Sequence, residues 1–236
     1  MPLTLVTGGS RGIGAAICVR LAAEGHDVIV AYRTDAAAAE QVATAVRALG
    51  RTAQTIQVDT ASEQSVNTMF AAIDGQLTGL VNNAGISGGN SRLVDADADG
   101  MRHALEVNVL GYLLVARGAL RAFKGAGAIV NISSGAATLG GANRYVHYAA
   151  SKAAVDGMTI GLSKEVAADG VRVNAVSPGT IYTDFHAEPD RADQVGPTVP
   201  LGRSGQPEEI AGAVAWLLSD DASYTTGANI RVAGGL

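Results

Sequence analysis

The sequence predicts an α/β fold with a doubly wound parallel sheet of about seven strands and helices on both faces. Short runs rich in apolar and β-branched residues recur along the chain, and helix-like stretches separate nearly all of them. Such alternation is typical of parallel strands joined by crossover helices. Run centres such as VIV and AIV are continuously apolar, as expected of strands covered on both faces. The seven predicted strands are LTLVT, DVIVAY, TAQTIQV, TGLVN, GAIVNIS, VRVNAVS and ANIRV.

The chain has 236 residues, of which 47% are apolar, so it can bury a sizeable core. Because no linker, repeat or low-complexity tract divides it, we expect one domain over 1–236. Prolines and charged residues concentrate at about 184–206, and we interpret this stretch as a substrate lid.

The charge pattern argues against a polyanionic partner. A formal net charge of −5 and the absence of lysine and arginine clusters predict no binding of nucleic acid or an anionic membrane. No run approaches the ~18 apolar residues that cross a bilayer, and the first residues do not resemble a leader. We therefore expect a cytoplasmic protein.

Cysteine and histidine usage predicts neither an internal disulfide nor a metal site. Cys18 is the single cysteine, in an apolar helical run where a small buried side chain is expected. No histidine stands at metal-ligand spacing from a carboxylate or thiol. The four histidines are scattered: His26, His103, His147 and His186.

The stretch LVTGGSRGIGAAICVRLA predicts a strand, a glycine turn and a helix N-terminus. Gly8, Gly12 and Gly14 follow the strand that ends at Thr7. Glycines permit close backbone approach, and free N–H groups at the positive end of a helix suit a pyrophosphate. The spacing T-G-x-x-x-G-x-G differs from G-x-G-x-x-G and also suits a plain tight turn. Its place at the first βα junction favours phosphate binding.

A second polar motif, LVNNAG, leaves the fourth strand where a doubly wound sheet forms a ligand crevice. Asn82 and Asn83 are compatible with turns. Beside the glycine turn, we interpret them as braces between strands that line the adenosine side of a cofactor channel. Asp59, at the end of the third strand, is positioned to hydrogen-bond an adenine.

Tyr148 and Lys152 stand one turn apart on a predicted helix over 148–168. Alone, the pair is an ordinary surface combination. Next to a cofactor site, it would join a proton donor to a cation that favours the phenolate and lowers its pKa.

Six motifs in this order resemble the short-chain dehydrogenase/reductase family, in its compact single-domain branch. They are TGGSRGIG, NNAG, Asn108 in LEVNVLG, IVNISS, YAASK and VSPGTIYT, and they span nearly the whole chain. The resemblance implies a Rossmann-type fold and an NAD(P)-dependent oxidoreductase that interconverts a ketone or aldehyde and an alcohol.

The resemblance also implies the catalytic roles. Tyr148 is the acid/base, Ser134 holds the substrate oxygen, Lys152 hydrogen-bonds the nicotinamide ribose, and the backbone of Asn108 joins a proton relay to the lysine through water. Ser134 is preferred to Ser133 because adjacent strand residues face opposite ways, and Ser134 lies fourteen positions before the tyrosine, close to the family's usual distance. Ser133 is interpreted as structural.

The predicted cofactor contacts come from the glycine turn, the strand ends, the catalytic helix and the SPGTIYT turn. They are Gly8, Ser10, Arg11, Gly12, Ile13, Gly14, Arg33, Asp59, Asn83, Ala84, Gly85, Tyr148, Lys152, Pro178, Gly179, Ile181 and Thr183.

The end of the second strand, VIVAYRTD, predicts a preference for NADPH, with NAD as the other option. Tyr32 occupies the place where NAD-specific relatives usually have aspartate, and Arg33 follows it. Together, Arg33 and Arg11 could bind the 2′-phosphate of NADPH. Asp35 argues the other way, since it could reach the ribose or weaken the field of Arg33.

Two residues near the catalytic pair are candidates for the pocket. His147 points off the face of the helix that Tyr148 and Lys152 share, and we interpret it as a pocket or surface residue. Tyr145 either projects into the pocket or packs against its neighbours.

A stripe of four small side chains on the same helix allows another helix to pack closely. The partner helix lies either in the core or, as the resemblance implies, in another subunit of a homotetramer or homodimer. The members of the stripe are Ala149, Ala153, Gly157 and Gly161.

Two other functions remain as alternatives on this fold. A nucleotide-sensing binding protein is compatible with it, although such proteins often lose the serine, tyrosine or lysine. An epimerase or dehydratase of the extended branch would normally need a larger C-terminal domain. The identity of the carbonyl or alcohol substrate is not encoded in these motifs, because it depends on the lid and on small pocket residues such as Gly135 and Ala136.

Overall fold

A computed structural model describes residues 1–185 and 188–236 and has a single seven-stranded, fully parallel sheet. The strand order is β3-β2-β1-β4-β5-β6-β7. The predicted fold class is therefore confirmed. The strands are β1 Leu3–Thr7, β2 Asp27–Tyr32, β3 Ala53–Gln57, β4 Gly79–Asn82, β5 Gly127–Ile132, β6 Val171–Pro178 and β7 Asn229–Val232.

Helices cover both faces of this sheet, and a π-helical segment, Glu106–Leu110, joins the fourth and fifth of them. In chain order they are α1 Gly12–Ala23, α2 Ala36–Ala48, α3 Glu63–Ala71, α4 Ala98–Leu105, α5 Gly111–Ala122, α6 Ala136–Leu139, α7 Val146–Glu165, α8 Arg191–Val195 and α9 Pro207–Leu218.

Two apolar clusters bury the two faces of the sheet. Consecutive strand residues alternate between them, so Leu5 belongs to one cluster and Val6 to the other. Val6 lies with residues of α1, α2 and α9, and Leu5 lies with residues of α3 and α5. Burial on both faces explains why the strands are apolar without interruption.

The ligand crevice of the fold lies at the carboxyl ends of β1 and β4. These strands are neighbours, with Val6 opposite Val81, but the chain leaves β1 toward β2 and leaves β4 toward β5. This reversal of strand order opens a space between the two loops. The polar motifs that follow β1 and β4 therefore meet at one edge of the sheet.

Three differences from the sequence-based expectation affect the elements around the crevice. Strand β5 ends at Ile132, before both serines, so Ser133 and Ser134 stand in a turn rather than in a strand. Helix α7 covers Val146–Glu165 instead of 148–168, because a separate 3-10 turn, Ala167–Asp169, follows it and ends at a left-handed glycine. The π-helical segment had no recognisable sequence signal.

Two predictions outside the site can be compared with the structure. Cys18 is fully buried, and burial raises the pKa of its thiol, as expected of a packed rather than a reactive cysteine. None of the helices in the described ranges is both long and apolar enough to cross a membrane.

Candidate active site

A cavity of about 620 Å³ opens at the carboxyl ends of the strands. Its walls come from the turn between β1 and α1, the residues after β4 and β5, the start of α7 and the loop after β6. All seventeen predicted cofactor contacts and Ser134 border this cavity. The tertiary structure thus brings together motifs that are far apart in sequence.

The turn between β1 and α1 requires glycine at specific positions. Gly8 and Gly12 have left-handed backbone φ angles of 63° and 54°. A Cβ atom on Gly14 would lie 2.1 Å from the carbonyl oxygen of Gly8, so no larger residue fits without moving the turn. Together with the N–H groups at the start of α1, this cradle fits the pyrophosphate of a dinucleotide.

Asn83 fastens the glycine turn to β4. Its Nδ2 donates hydrogen bonds to the carbonyl oxygens of Thr7 and Gly8, at 2.9 and 3.1 Å. Asn82 is buried, and its Nδ2 donates to Asn131 Oδ1 at 3.0 Å and to the Tyr112 carbonyl at 3.2 Å. The predicted bracing role of both asparagines is confirmed.

Lys152 and Tyr148 share the face of α7 that borders the cavity. Lys152 is only 3% exposed, and its Nζ donates to the Ile132 carbonyl oxygen at 2.8 Å. The same nitrogen lies 5.9 Å from the centre of the Tyr148 ring. Tyr148 is partly exposed to the cavity, with Tyr145 packed edge-on at 5.7 Å and Phe185 tilted against it at 5.7 Å. Tyr145 therefore both packs and borders the pocket.

Burial shifts both ionisable groups of this pair toward their neutral forms. It lowers the pKa of Lys152 to about 7, although the negative charge of Asp156 opposes the change. It raises the pKa of Tyr148 to about 12, against the effect of a hydrogen bond with Ser134 and with a smaller contribution from Tyr145. The pKa of Tyr148 is thus raised by its surroundings in the chain itself, with desolvation as the largest cause.

Ser133 and Ser134 both border the cavity but have different partners. The Ser133 hydroxyl is 2% exposed and donates to the backbone carbonyl of Lys152 at 3.2 Å. The Ser134 hydroxyl accepts from the backbone N–H of Ala136 at 3.1 Å and interacts with the Tyr148 phenol. This geometry agrees with a structural Ser133 and leaves Ser134 beside the tyrosine.

Asn108 lies within the π-helical segment and is fully buried. Its Oδ1 accepts from the backbone N–H of Ile86 at 2.9 Å, and its Nδ2 donates to the Ile86 carbonyl at 2.9 Å and to Ser151 Oγ at 3.0 Å. It is not among the described residues that border the cavity. Its side chain holds the loop after β4 against α7. A catalytic role of Asn108 would therefore depend on its backbone rather than on its side chain.

The end of β2 places Tyr32, Arg33 and Asp35 at the cavity wall. Arg33 is about half exposed, with Nε 4.0 Å from Asp59 Oδ2 and Nη1 3.5 Å from His103 Nε2. The Asp35 carboxylate caps α2 by accepting from the backbone N–H of Ala38 at 2.9 Å. That bond explains Asp35 as a structural residue, although it still borders the cavity.

Comparisons with known proteins give a consistent result. A family model described as "Enoyl-(Acyl carrier protein) reductase" matches residues 8–236. The chain is 48% identical to "Uncharacterized oxidoreductase YgfF" of Escherichia coli over the whole of both chains. It is 38% identical to the 3-oxoacyl-(acyl-carrier-protein) reductase FabG of Pseudomonas aeruginosa, covering 99% of this chain and 96% of that one.

A solved structure of a short chain dehydrogenase from Burkholderia cenocepacia, in complex with NADP, superposes with a TM-score of 0.94. Its sequence is 36% identical, and the alignment covers 99% of this chain and 97% of that one. The chain belongs to the short-chain dehydrogenase/reductase family. The resemblance seen in the sequence motifs is thereby confirmed, and the protein is an oxidoreductase of this NAD(P)-dependent family.

The SPGTIYT turn borders the cavity at the end near the glycine turn. A Cβ atom on Gly179 would lie 2.9 Å from Ala233 Cα, so these two residues pack closely. A Cβ atom on Gly12 would lie 3.2 Å from Thr183 Cγ2, so the Thr183 side chain lies beside the glycine turn. Ile181 is buried and pairs with Gly205 in an isolated parallel bridge.

Four residues of the stretch 184–206, Asp184, Phe185, Glu188 and Arg191, border the cavity. Residues 186 and 187 of this stretch, including His186, lie outside the described residues. Glu188 forms ion pairs with Arg144 and, at 3.9 Å, with Arg191, and it accepts from Asn90 Nδ2 at 3.0 Å. This cluster ties the stretch around Glu188 to the loops after β4 and α6. Sequence reasoning missed it because its members lie far apart in the chain.

Two further expectations can be checked here. His147 was expected at the pocket or the surface, but it is buried, with Nε2 2.9 Å from the Ser87 carbonyl oxygen. It is not among the described residues that border the cavity. In the described ranges, no group of three or more histidine, cysteine, aspartate or glutamate side chains is arranged to hold a metal ion.

Proposed function

We propose that this chain reduces the carbonyl group of a small ketone or aldehyde with NADPH, and oxidises the corresponding alcohol in reverse. The observation that carries the proposal is the juxtaposition of Ser134, Tyr148 and Lys152 on one wall of a cavity whose far end is the glycine cradle. A nicotinamide cofactor bound there supplies the hydride.

Ser134 and Tyr148 act on the substrate oxygen. The Ser134 hydroxyl donates a hydrogen bond to the carbonyl oxygen and polarises it, and Tyr148 transfers its phenolic proton as negative charge develops on that oxygen. A pKa of about 12 keeps Tyr148 protonated at neutral pH, which is the form that reduction needs. The alcohol is oxidised by the reverse proton transfer.

Lys152 acts on Tyr148 and on the cofactor end of the cavity. Its ammonium stabilises the phenolate that remains after proton transfer. Because burial lowers its pKa to about 7, the lysine exchanges a proton near neutral pH and can return one toward the tyrosine. The Asn108 backbone completes this relay in the proposal.

The preference for NADPH rests on the cationic end of the cavity. Arg11 and Arg33 border it, Tyr32 stands where an acidic residue would repel a 2′-phosphate, and Asp35 already caps a helix. The solved relative with NADP bound agrees with this choice. The weak pairing of Arg33 with Asp59 leaves its guanidinium available to a phosphate.

We also propose that the protein is a homotetramer or homodimer assembled through α5 and α7. Three of the four stripe residues, Ala153, Gly157 and Gly161, are exposed, and a Cβ on either glycine would meet nothing within 4 Å. Exposed Leu113 of α5 and Ile160 of α7 add apolar area to this side. Ala149 is buried within the subunit and does not belong to the surface.

The deciding experiment is a turnover screen of the purified protein with NADPH and NADH against ketones, aldehydes, sugars and 3-oxoacyl thioesters. Oxidation of NADPH that requires both substrate and Tyr148 supports the proposal. Tight NADPH binding without turnover on any member of the panel would indicate a nucleotide-binding protein instead.

A further inference from the structure

Tyr112 places a buried phenol directly on the lysine of the catalytic helix. It lies at the start of α5, one turn after Asn108, and is 2% exposed. Lys152 Nζ lies 3.1 Å from the Tyr112 hydroxyl oxygen, 40 residues away in sequence. The hydroxyl also lies 3.0 Å from the carbonyl oxygen of Ile132, which accepts from Lys152 Nζ at 2.8 Å.

The direction of each hydrogen bond in this triangle follows from the groups involved. An ammonium can only donate, so the phenol oxygen accepts from Lys152. The phenolic hydrogen is then donated to Ile132, whose carbonyl has no proton to pass on. Burial raises the pKa of Tyr112 well above its ordinary value, so this phenol stays neutral. Tyr112 is therefore suited to anchor the lysine and not to relay protons.

The anchor restricts a side chain that is otherwise flexible. A lysine has a four-carbon stem and three donor positions, and holding it in one geometry costs rotamer entropy. Here two of the three N–H groups are directed to Ile132 and Tyr112. The same nitrogen lies 4.8 Å from the centre of the Tyr112 ring. One N–H remains for the cavity that Lys152 borders.

We propose that Tyr112 is a positioning residue of the reaction, which holds the Lys152 nitrogen at the end of β5 and leaves a single N–H for the cofactor end of the cavity. The inference rests on the proposed role of Lys152. Tyr112 does not touch the cavity wall among the described residues, so it acts through the lysine alone.

In the described part of the chain, the titratable and hydrogen-bonding groups that interact with Lys152 lie on α7, α5 and β5. Tyr148 and Asp156 lie one turn before and after it on α7, Tyr112 approaches from α5, and the Ile132 carbonyl approaches from β5. Asp156 in turn interacts with Arg231 of β7. Removing only the Tyr112 hydroxyl leaves all the charged groups in place, so its effect on the lysine can be isolated.

The test compares wild type with Tyr112→Phe by direct titration of Lys152. The chain has three lysines, and Lys124 and Lys164 are exposed, so ¹³C labelling of the lysine ε-carbons gives a small set of signals with two internal references. Loss of an accepted hydrogen bond destabilises the ammonium, so the Lys152 pKa should fall by about one unit. The alkaline limb of kcat/KM for reduction should move to lower pH by the same amount, with about a tenfold loss of kcat above that limb.

Thr159→Val is the matched control. Thr159 is a buried hydroxyl of α7 that accepts from Asn131 Nδ2 at 2.9 Å and does not contact Lys152. It should lower the melting temperature without moving the lysine titration or the pH profile. An unchanged Lys152 titration in Tyr112→Phe, or an equal shift in Thr159→Val, would overturn the inference.

The test also gives a result if the variant does not fold or if the wild type shows no turnover. If Tyr112→Phe does not fold, the wild type is examined for a slowly exchanging Tyr112 hydroxyl proton with a nuclear Overhauser contact to the Lys152 ε-protons, and its absence overturns the inference. If wild type shows no turnover, the proposed function fails, but the titration still decides whether Tyr112 controls the lysine.

Discussion

The Ser133 hydroxyl donates a hydrogen bond to the backbone carbonyl of Lys152 at 3.2 Å and so fastens the turn after β5 to the catalytic helix. Its neighbour Ser134 instead interacts with the phenol of Tyr148. The two adjacent hydroxyls therefore have different roles: Ser133 holds the cavity wall together, and Ser134 lies beside the proposed proton donor.

Replacing each serine by alanine should separate these duties. Ser134→Ala removes a donor to the developing oxyanion and should lower kcat by ~10² to 10³-fold with little change in melting temperature. Ser133→Ala removes a buried hydrogen bond and should cost ~1 kcal/mol of unfolding free energy with a smaller loss of activity. Steady-state kinetics and denaturant unfolding measure the two effects. Equal, mild kinetic losses would contradict the assignment.

Tyr148→Phe should nearly abolish turnover while cofactor affinity stays close to that of wild type. The substitution removes the transferable proton and little volume, and general acid catalysis typically contributes ~10² to 10⁴-fold. Single-turnover rates and NADPH titration by fluorescence check both parts. Retention of more than about a tenth of kcat, with chemistry rate-limiting, would move the role to another residue.

Arg33→Ala should reduce the preference for NADPH over NADH. A charge-assisted hydrogen bond to the 2′-phosphate is worth ~1.5 to 3 kcal/mol, so the ratio of kcat/KM values for the two cofactors should fall by ~10 to 100-fold. Arg47→Ala is the control, because Arg47 pairs with Glu40 on α2 and is not among the described residues of the cavity. A wild type that prefers NADH, or an unchanged ratio in Arg33→Ala, refutes this interpretation.

Asp156→Asn should move the pH profile of reduction to lower pH. Asp156 is negatively charged and stabilises the Lys152 ammonium, whose pKa is about 7, so neutralising it lowers that pKa further. The active protonated lysine is then lost at lower pH, and the alkaline limb of kcat/KM shifts downward. The amide keeps a partner for Asn229, which donates to Asp156 at 2.9 Å. Glu165→Gln, at the far end of α7, should leave the limb in place; an upward shift in Asp156→Asn would be incompatible with this account.

Gly157→Arg should dissociate the assembly into smaller species without unfolding the subunit. A Cβ atom at this exposed position meets nothing within 4 Å inside the subunit, so the added side chain can extend into solvent and is expected to block an intersubunit contact. Gln41→Arg adds the same charge to the exposed face of α2 as a control. Sedimentation or light scattering gives the mass, and a monomeric wild type, or an unchanged mass in Gly157→Arg, would exclude this surface as the interface.

Local patterns in the sequence were sufficient for the fold class and for most of the cavity wall. Apolar runs separated by helical stretches are typical of a parallel sheet with helices on both faces. The turn from Gly8 to Gly14 is a local backbone requirement, and Tyr148 and Lys152 share a face because a helix repeats every 3.6 residues. Each of these features depends on residues that are close in the chain.

Tertiary structure alone decided how the site is held and how its groups titrate. The phenol of Tyr112 meets Lys152 because α5 and α7 pack on the same face of the sheet. Glu188 meets Arg144 because the segment before α8 lies against the turn after α6. The opposite pKa shifts of Tyr148 and Lys152 arise from burial among those elements. The desolvation of these ionisable groups and the contacts between residues tens of positions apart depend on how the helices and strands pack. No single stretch of the sequence determines that packing.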